Sequence, residues 1–91
     1  MKVLIIEDEI MAQRSLMRLL AQHYPDMDVV GTASSVNGAV AWLKDPSNSV
    51  DVIFMDVELA DGICFEIFRK VEVKAKVIMT TAYDSYALKA F

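Results

Sequence analysis

Acidic side chains directly follow two apolar runs of this 91-residue sequence. Glu7 and Asp8 come after residues 3–6, and Asp56 comes after residues 52–55. If both runs are neighbouring parallel strands, their carboxyl ends share one edge of a sheet, where open α/β sheets bind ligands. Three clustered carboxylates repel each other, so they need a raised pKa or a divalent cation. The acids therefore predict a site for a hard cation such as Mg²⁺, which takes oxygen ligands and keeps positions for water and phosphate.

A third polar strand end accompanies the acids. Thr80 and Thr81 follow the apolar residues 77–79. A hydroxyl there can donate to a phosphoryl oxygen, although threonine is also a common strand residue. Each acid by itself is more typical of a helix N-cap or a solvated loop. The coincidence of three polar strand ends is what favours a functional site.

Alternating strands and helices must position these residues. Continuous apolar runs at 3–6, 52–55 and 77–79, with a weaker one at 29–30, suggest strands buried on both faces. The predicted strands are 2–6, 28–33, 50–55 and 76–80. Amphipathic segments predict helices at 9–23, 35–44 and 62–71, with an incipient helix from Asp84. The apolar stripe of the first helix comprises Ala12, Leu16, Leu19 and Leu20. Strict alternation with long connections predicts an α/β, doubly wound parallel sheet with right-handed crossovers.

Composition limits the classes of protein to which the chain can belong. Its length suits one domain, residues 1–91, and 55% hydrophobic with 24% charged residues is typical of a globular protein without a membrane span. A net charge of −4 argues against direct binding of nucleic acid, which needs clustered Lys and Arg. The single cysteine, Cys64, can form no internal disulfide, and the N-terminus is unlike a signal peptide, so we expect a cytoplasmic protein.

Three stretches together resemble a response-regulator receiver domain. They are VLIIEDE at 3–9, VIFMDVELADG at 52–62 and VIMTTAYDSYALKAF at 77–91. The resemblance covers essentially the whole chain in the right order and spacing. It implies a flavodoxin-like sheet with strand order 2-1-3-4-5, in which the fifth strand and the last helix are missing from this chain.

The resemblance also implies roles for the acids. Asp56 resembles the phosphoacceptor of the family, and Asp8 resembles a ligand of the Mg²⁺ ion that Asp56 also binds. Glu7 resembles an outer acid that acts on the metal through water. The backbone carbonyl of Glu58, two residues past Asp56, resembles the third protein ligand of the metal.

The segment after the last predicted strand resembles the switch region of the family. Thr81 rather than Thr80 matches the hydroxyl that contacts the phosphoryl group, because Ala82 follows it where the family has alanine or glycine. The backbone amide of Ala82 is expected to face the phosphoryl group as well. Beyond Phe91, the family has a strand that carries a lysine, which pairs with the phosphoryl group.

The loop after Asp56 departs from the family pattern. Ala60-Asp61-Gly62 stands where Pro-Gly is common, and Cys64 occupies the place of a later glycine. Because the loop length is kept, we expect a rearranged turn with the site retained. We expect Cys64 to be a small apolar residue that is at least half-buried.

The final segment, TAYDSYALKAF, resembles receivers attached to LytTR-type DNA-binding domains. This resemblance implies a transcriptional regulator that is controlled by a sensor histidine kinase and can form a homodimer. Contact with DNA would come only through an output domain absent from this chain. The protein would then be a switch and not an enzyme.

Two other functions remain open from the sequence. Asp56-Val57-Glu58 vaguely resembles the Asp-x-Asp loop of aspartate-nucleophile phosphohydrolases, although its second acid is a glutamate and the Glu7-Asp8 pair precedes it. A pseudo-receiver that is never phosphorylated and only binds other proteins is the third possibility. Turnover of phosphate esters would identify the first alternative, and absence of Mg²⁺ binding would identify the second.

Overall fold

A computed structural model describes residues 1–80 of the chain. Its elements are β1 (Lys2–Ile6), α1 (Ile10–His23), β2 (Asp28–Ala33), α2 (Val36–Lys44), β3 (Val52–Asp56), β4 (Glu58–Leu59), β5 (Gly62–Ile63), α3 (Phe65–Lys70) and β6 (Lys76–Thr80). No helix within this range is both long enough and apolar enough to cross a membrane. Thr81, Ala82 and the helix expected from Asp84 lie outside the described residues.

The long strands form one parallel sheet in the order β2-β1-β3-β6. Because β6 is the fourth of the long strands, this is the predicted order 2-1-3-4, and the doubly wound α/β class is confirmed. The apolar run of β1 is fully buried from Val3 to Ile6, as expected for a central strand that is covered on both faces. Ile6 pairs with Met55, and Asp56 pairs with Thr80, so the carboxyl ends of β1, β3 and β6 lie at one edge.

Alternate residues of the strands supply two cores on opposite faces of the sheet. On one face, the strand residues Leu4, Ile6, Ile53 and Met55 pack with buried side chains from α2 and α3. On the other face, Val3, Ile5 and Val52 pack against Leu20 of α1. The helices therefore cover both faces of the sheet.

The buried stripe of α1 is narrower than its sequence predicts. Leu20 is buried, Ala12 and Leu16 are half-buried, and Leu19 is 50% exposed. At 3.6 residues per turn, Leu19 lies roughly a quarter of a turn from the line that joins Leu16 and Leu20. Leu19 therefore belongs to the apolar stripe of the sequence but lies outside the buried face of α1.

The segment after β3 differs most from the sequence-based expectation. The helix predicted at 62–71 begins only at Phe65 and ends at Lys70. Its predicted first residues pair instead with Glu58 and Leu59 in a short antiparallel hairpin of β4 and β5. Gly62 has φ of 155°, a conformation that favours glycine, and the Glu66 carboxylate lies where a Cβ would be. A local hairpin thus replaces the first turn of the predicted helix.

Candidate functional site

Three carboxylates converge at the carboxyl edge of the sheet. Glu7 and Asp8 directly follow β1, and Asp56 is the last residue of the neighbouring strand β3. Each of the three offers one oxygen atom, and these oxygens lie within 4.8 Å of one another. The parallel pairing of β1 with β3 produces this convergence, because it places both carboxyl ends side by side.

Glu7 is held firmly by the backbone around it. Only 9% of the residue is exposed, and its amide donates to the carbonyl of Ala33 at 2.9 Å, which extends the pairing of β1 with β2. The Glu9 amide donates to Glu7 Oε2 at 3.0 Å, and Gln13 Nε2 of α1 donates to the Glu7 carbonyl at 2.5 Å. These bonds tie the loop between β1 and α1 to the sheet and fix where the Glu7 carboxylate points.

The surroundings of Glu7 favour its protonated form. Burial raises the pKa of Glu7 to about 7, against the lowering effect of the Glu9 amide. A hydrogen bond with Asp8 and the charges of Asp56 and Asp8 raise it further. Near neutral pH, the cluster therefore holds a proton unless a cation offsets its charge.

Asp56 shows the same tendency. Burial is the main cause that raises the pKa of this carboxyl group, and the charge of Asp8 adds to it. The Val57 amide donates to Asp56 Oδ1 at 2.8 Å and opposes the rise, as do hydrogen bonds from Glu7 and the Glu58 amide. Asp56 is half-buried and Asp8 is exposed, so the cluster is open to solvent on the Asp8 side.

The donor set suits a hard divalent cation. One carboxylate oxygen from each of Glu7, Asp8 and Asp56 lies within 4.8 Å of the other two, and oxygen is the ligand that Mg²⁺ prefers. Glu58, whose carbonyl the sequence resemblance assigns to the metal, begins the hairpin two residues after Asp56. Thr80 is half-buried opposite Asp56 in the sheet, so the chain continues toward Thr81 and Ala82 from a point beside the cluster.

Two polar residues with a structural part in this region were missed by reasoning from the sequence. Gln13 holds the Glu7 carbonyl, and Asp61, read from the sequence only as part of a turn, accepts hydrogen bonds from two amides at the start of α2. No local pattern identifies the Gln13 contact. The Asp61-Gly62 pair does indicate a turn, but the sequence does not show that Asp61 contacts a helix that begins about 24 residues earlier in the chain.

Comparison with known proteins agrees with this architecture. A family model described as the response regulator receiver domain matches residues 3–91. The sensory transduction protein LytT of Bacillus anthracis is 35% identical over the whole chain, which covers 37% of that protein. LytT of Enterococcus faecalis is 38% identical over the whole chain, which covers 38% of its length. The chain thus spans less than two-fifths of these curated relatives.

Solved structures share the fold. The response regulatory domain of mrkE from Klebsiella pneumoniae is 32% identical with a TM-score of 0.74, and the match covers 100% of this chain and 75% of that one. The MaeR response regulator bound to beryllium trifluoride has a TM-score of 0.76 at 23% identity, over 98% of this chain and 75% of that one. With the sheet order, the acidic edge and a family match over nearly its whole length, the chain belongs to the response-regulator receiver family of two-component signalling.

Proposed function

We propose that Asp56 accepts a phosphoryl group from a sensor histidine kinase, and that its phosphorylation switches an output. The observation that carries this proposal is the convergence of the Glu7, Asp8 and Asp56 carboxylates within 4.8 Å at the ends of β1 and β3. Such crowding raises the energy of the fold when the acids are charged, and a bound cation together with phosphoryl chemistry explains why it is present.

In this proposal, an oxygen of Asp56 attacks the phosphorus in line with the bond to the kinase histidine. The new bond joins that oxygen to phosphorus, the bond from phosphorus to the histidine nitrogen breaks, and an acyl phosphate results. The Val57 amide, 2.8 Å from Asp56 Oδ1, fixes the rotation of the carboxylate. Asp56 therefore meets the phosphorus in a preset orientation.

Asp8, Asp56 and the backbone carbonyl of Glu58 would hold Mg²⁺ directly, and Glu7 would act on it through water. When bound, the cation supplies positive charge that offsets the phosphoryl oxygens and the carboxylates. Glu7 holds a proton near neutral pH because its pKa is about 7. Release of this proton when the cation binds would restore the full negative charge of the cluster.

The switch is proposed to involve residues outside the described range. The Thr81 hydroxyl and the Ala82 amide would contact the phosphoryl oxygens, and Thr80 at the end of β6 places the chain beside Asp56. The match to longer relatives, including the transcriptional regulatory protein YpdB of Escherichia coli at 33% identity, supports transcription as the output. DNA would then be bound by a further domain of a cytoplasmic protein, with a homodimer as the expected active form.

Labelling with acetyl phosphate tests this proposal. In the presence of Mg²⁺, intact-mass spectrometry should detect one added phosphoryl group on the wild-type protein and none on Asp56→Asn, because an amide is a poor nucleophile. Asp51→Asn is the matched control, since Asp51 is an exposed acid just before the opposite end of the same strand. An adduct that persists in Asp56→Asn would place the phosphoacceptor elsewhere, and catalytic turnover of phosphate esters would favour a phosphohydrolase.

A further inference from the structure

The tip of the β4–β5 hairpin is tied to helix α2. Asp61 Oδ1 accepts a hydrogen bond from the Val36 amide at 2.6 Å, and Oδ2 accepts one from the Asn37 amide at 3.1 Å. The third amide of the helix, that of Gly38, donates to Ser35 Oγ at 2.9 Å. Asp61 and Ser35 together therefore satisfy the first three amides of α2, which otherwise lack a partner within the helix.

The base of the same hairpin is tied to the acidic cluster. The Val57 amide donates to Asp56 Oδ1 at 2.8 Å, and the Cys64 amide donates to the Val57 carbonyl at 2.9 Å, which closes the hairpin. Leu59 is buried against the core. The hairpin is thus anchored at Asp56 by one end and at α2 by the other, with Glu58 between the two anchors.

Helix α2 is a firm anchor for the hairpin. Val36 is 1% exposed and Ala39 is fully buried, and both belong to the core on that face of the sheet. Asp61 uses both of its carboxylate oxygens on adjacent amides, so the direction as well as the position of the hairpin tip is constrained. A shift of the tip would break two hydrogen bonds that involve a charged group.

We propose that Asp61 is a positioning residue of the metal site: by clamping the hairpin to α2, it holds the Glu58 carbonyl in place beside Asp56 and so sets the affinity for Mg²⁺. This inference rests on the proposed function. Asp61 is exposed and lies outside the acidic cluster. Burial and the charges of cluster members raise the pKa of Glu7 and Asp56, and Asp61 is not among these causes, so its effect on the metal site is expected to come from the position of the hairpin. Groups that orient metal ligands commonly change affinity by about 10- to 100-fold when they are removed.

The experiment is a Mg²⁺ titration of the full-length protein. Calorimetry measures the affinity, and the NMR chemical shifts of the Val57 and Glu58 amides report on the hairpin. Asp61→Ala should weaken binding about tenfold. Asp61→Asn should weaken it less, because its carboxamide oxygen can still accept from one helix amide. Ser35→Ala is the matched control: it removes a cap from the same helix without touching the hairpin, so the affinity should stay at the wild-type value.

Each outcome decides between distinct accounts. If the wild-type protein neither binds Mg²⁺ nor becomes labelled, the proposed function itself is wrong. If it binds and Asp61→Ala binds equally well, the positioning role is wrong while the function stands. Equal losses in Asp61→Asn and Asp61→Ala would point to charge, and an equal loss in Ser35→Ala would point to general loosening of α2. Thermal unfolding identifies any variant that fails to fold. If Asp61→Ala fails, the Mg²⁺ affinities of Asp61→Asn and Ser35→Ala are compared instead, and a loss confined to Asp61→Asn supports the positioning role.

Discussion

Carboxylates lie both at the acidic edge of the sheet and at the tip of the β4–β5 hairpin, where Asp61 contacts the start of α2. The pKa values of the two sets shift in opposite directions. Burial raises the pKa of Glu7 and Asp56, whereas the Asn37 and Val36 amides lower the pKa of Asp61. The Glu7 carboxylate accepts a hydrogen bond from the Glu9 amide and lies beside other acids, while Asp61 is exposed and accepts hydrogen bonds from two amides. The same chemical group is thus disfavoured as an anion at one site and favoured at the other.

This difference separates the roles of the two regions. A charged carboxylate that accepts hydrogen bonds from the amides at a helix N-terminus stabilises the fold. Buried acids that face each other destabilise the charged fold, so their clustering is better explained by a cation or a reaction than by stability. We therefore expect substitutions at the acidic edge to change metal binding and the pH dependence of stability directly. Loss of the Ser35 cap of α2 should change stability alone, and substitution of Asp61 should change stability and, through the hairpin, metal affinity.

The largest effect is expected for metal binding at the acidic edge. Asp8→Asn should weaken Mg²⁺ affinity by at least about tenfold, because it removes a charged oxygen ligand from a hard cation. Glu9→Gln is the control, since it removes the same charge from the next residue, which is exposed and outside the cluster. Calorimetric titration measures both. Equal affinities for wild type and Asp8→Asn would contradict the assignment of the cluster as a metal site.

The next effect concerns stability as a function of pH in the metal-free protein. Because the pKa of Glu7 is raised to about 7 in the folded state, folding favours its protonated form. The stabilisation is present below the unfolded-state pKa and is lost as pH rises through the folded-state pKa. Glu7→Gln cannot lose a proton, so at about pH 8 we expect it to exceed the wild type by roughly 1–3 kcal/mol in the free energy of unfolding.

Urea unfolding in the presence of a chelator, at about pH 5 and about pH 8, measures this difference. The advantage of Glu7→Gln should shrink at the lower pH, where the wild-type carboxyl is protonated as well. Glu72→Gln provides the control, because Glu72 is exposed and lies outside the cluster. If the difference in the free energy of unfolding between Glu7→Gln and the wild type does not change with pH, ionisation of Glu7 does not destabilise the fold.

A smaller effect is expected at the start of α2 when its neutral cap is removed. Ser35→Ala deletes the oxygen that accepts from the Gly38 amide, and the loss of such a cap costs about 1 kcal/mol. Serine does not titrate in this range, so the cost should be the same at about pH 5 and about pH 8. Urea unfolding measures it, and a cost that varies strongly with pH would show that α2 is coupled to the acidic edge in a way that the hairpin does not explain.

The smallest effect is expected from the charge of Asp61. Its lowered pKa means that the stabilisation is present above the unfolded-state pKa and is lost as pH falls through the folded-state pKa. Asp61→Asn should therefore be less stable than the wild type near neutral pH, and the deficit should narrow as the solution becomes acidic. This sign is opposite to that of Glu7. Thermal unfolding between about pH 3 and about pH 7 tests this prediction. A stability deficit of Asp61→Asn that grows in acid would contradict the stabilising role of the Asp61 charge.

Much of the fold follows from local patterns in the sequence. The strands predicted at 2–6 and 76–80 are observed with those bounds, and the helices predicted at 9–23 and 35–44 each differ from the structure by one residue. The strand expected at 50–55 is observed as Val52–Asp56. Strict alternation of these elements predicted the parallel α/β sheet. The strand order and the family were predicted from the resemblance of three sequence stretches to receiver domains, and both are confirmed.

The sequence by itself also determined that acids follow two predicted strands, because a residue's position after an apolar run needs no tertiary information. Only the tertiary structure decided what surrounds each acid. Pairing of β1 with β3 brings Glu7 and Asp56 together and buries Glu7, while the β4–β5 hairpin carries Asp61 to the first amides of a helix 24 residues earlier in the chain. A carboxylate's pKa depends on its burial and its donors, and both come from residues distant in sequence, so the opposite behaviour of the two regions arises only in the folded chain.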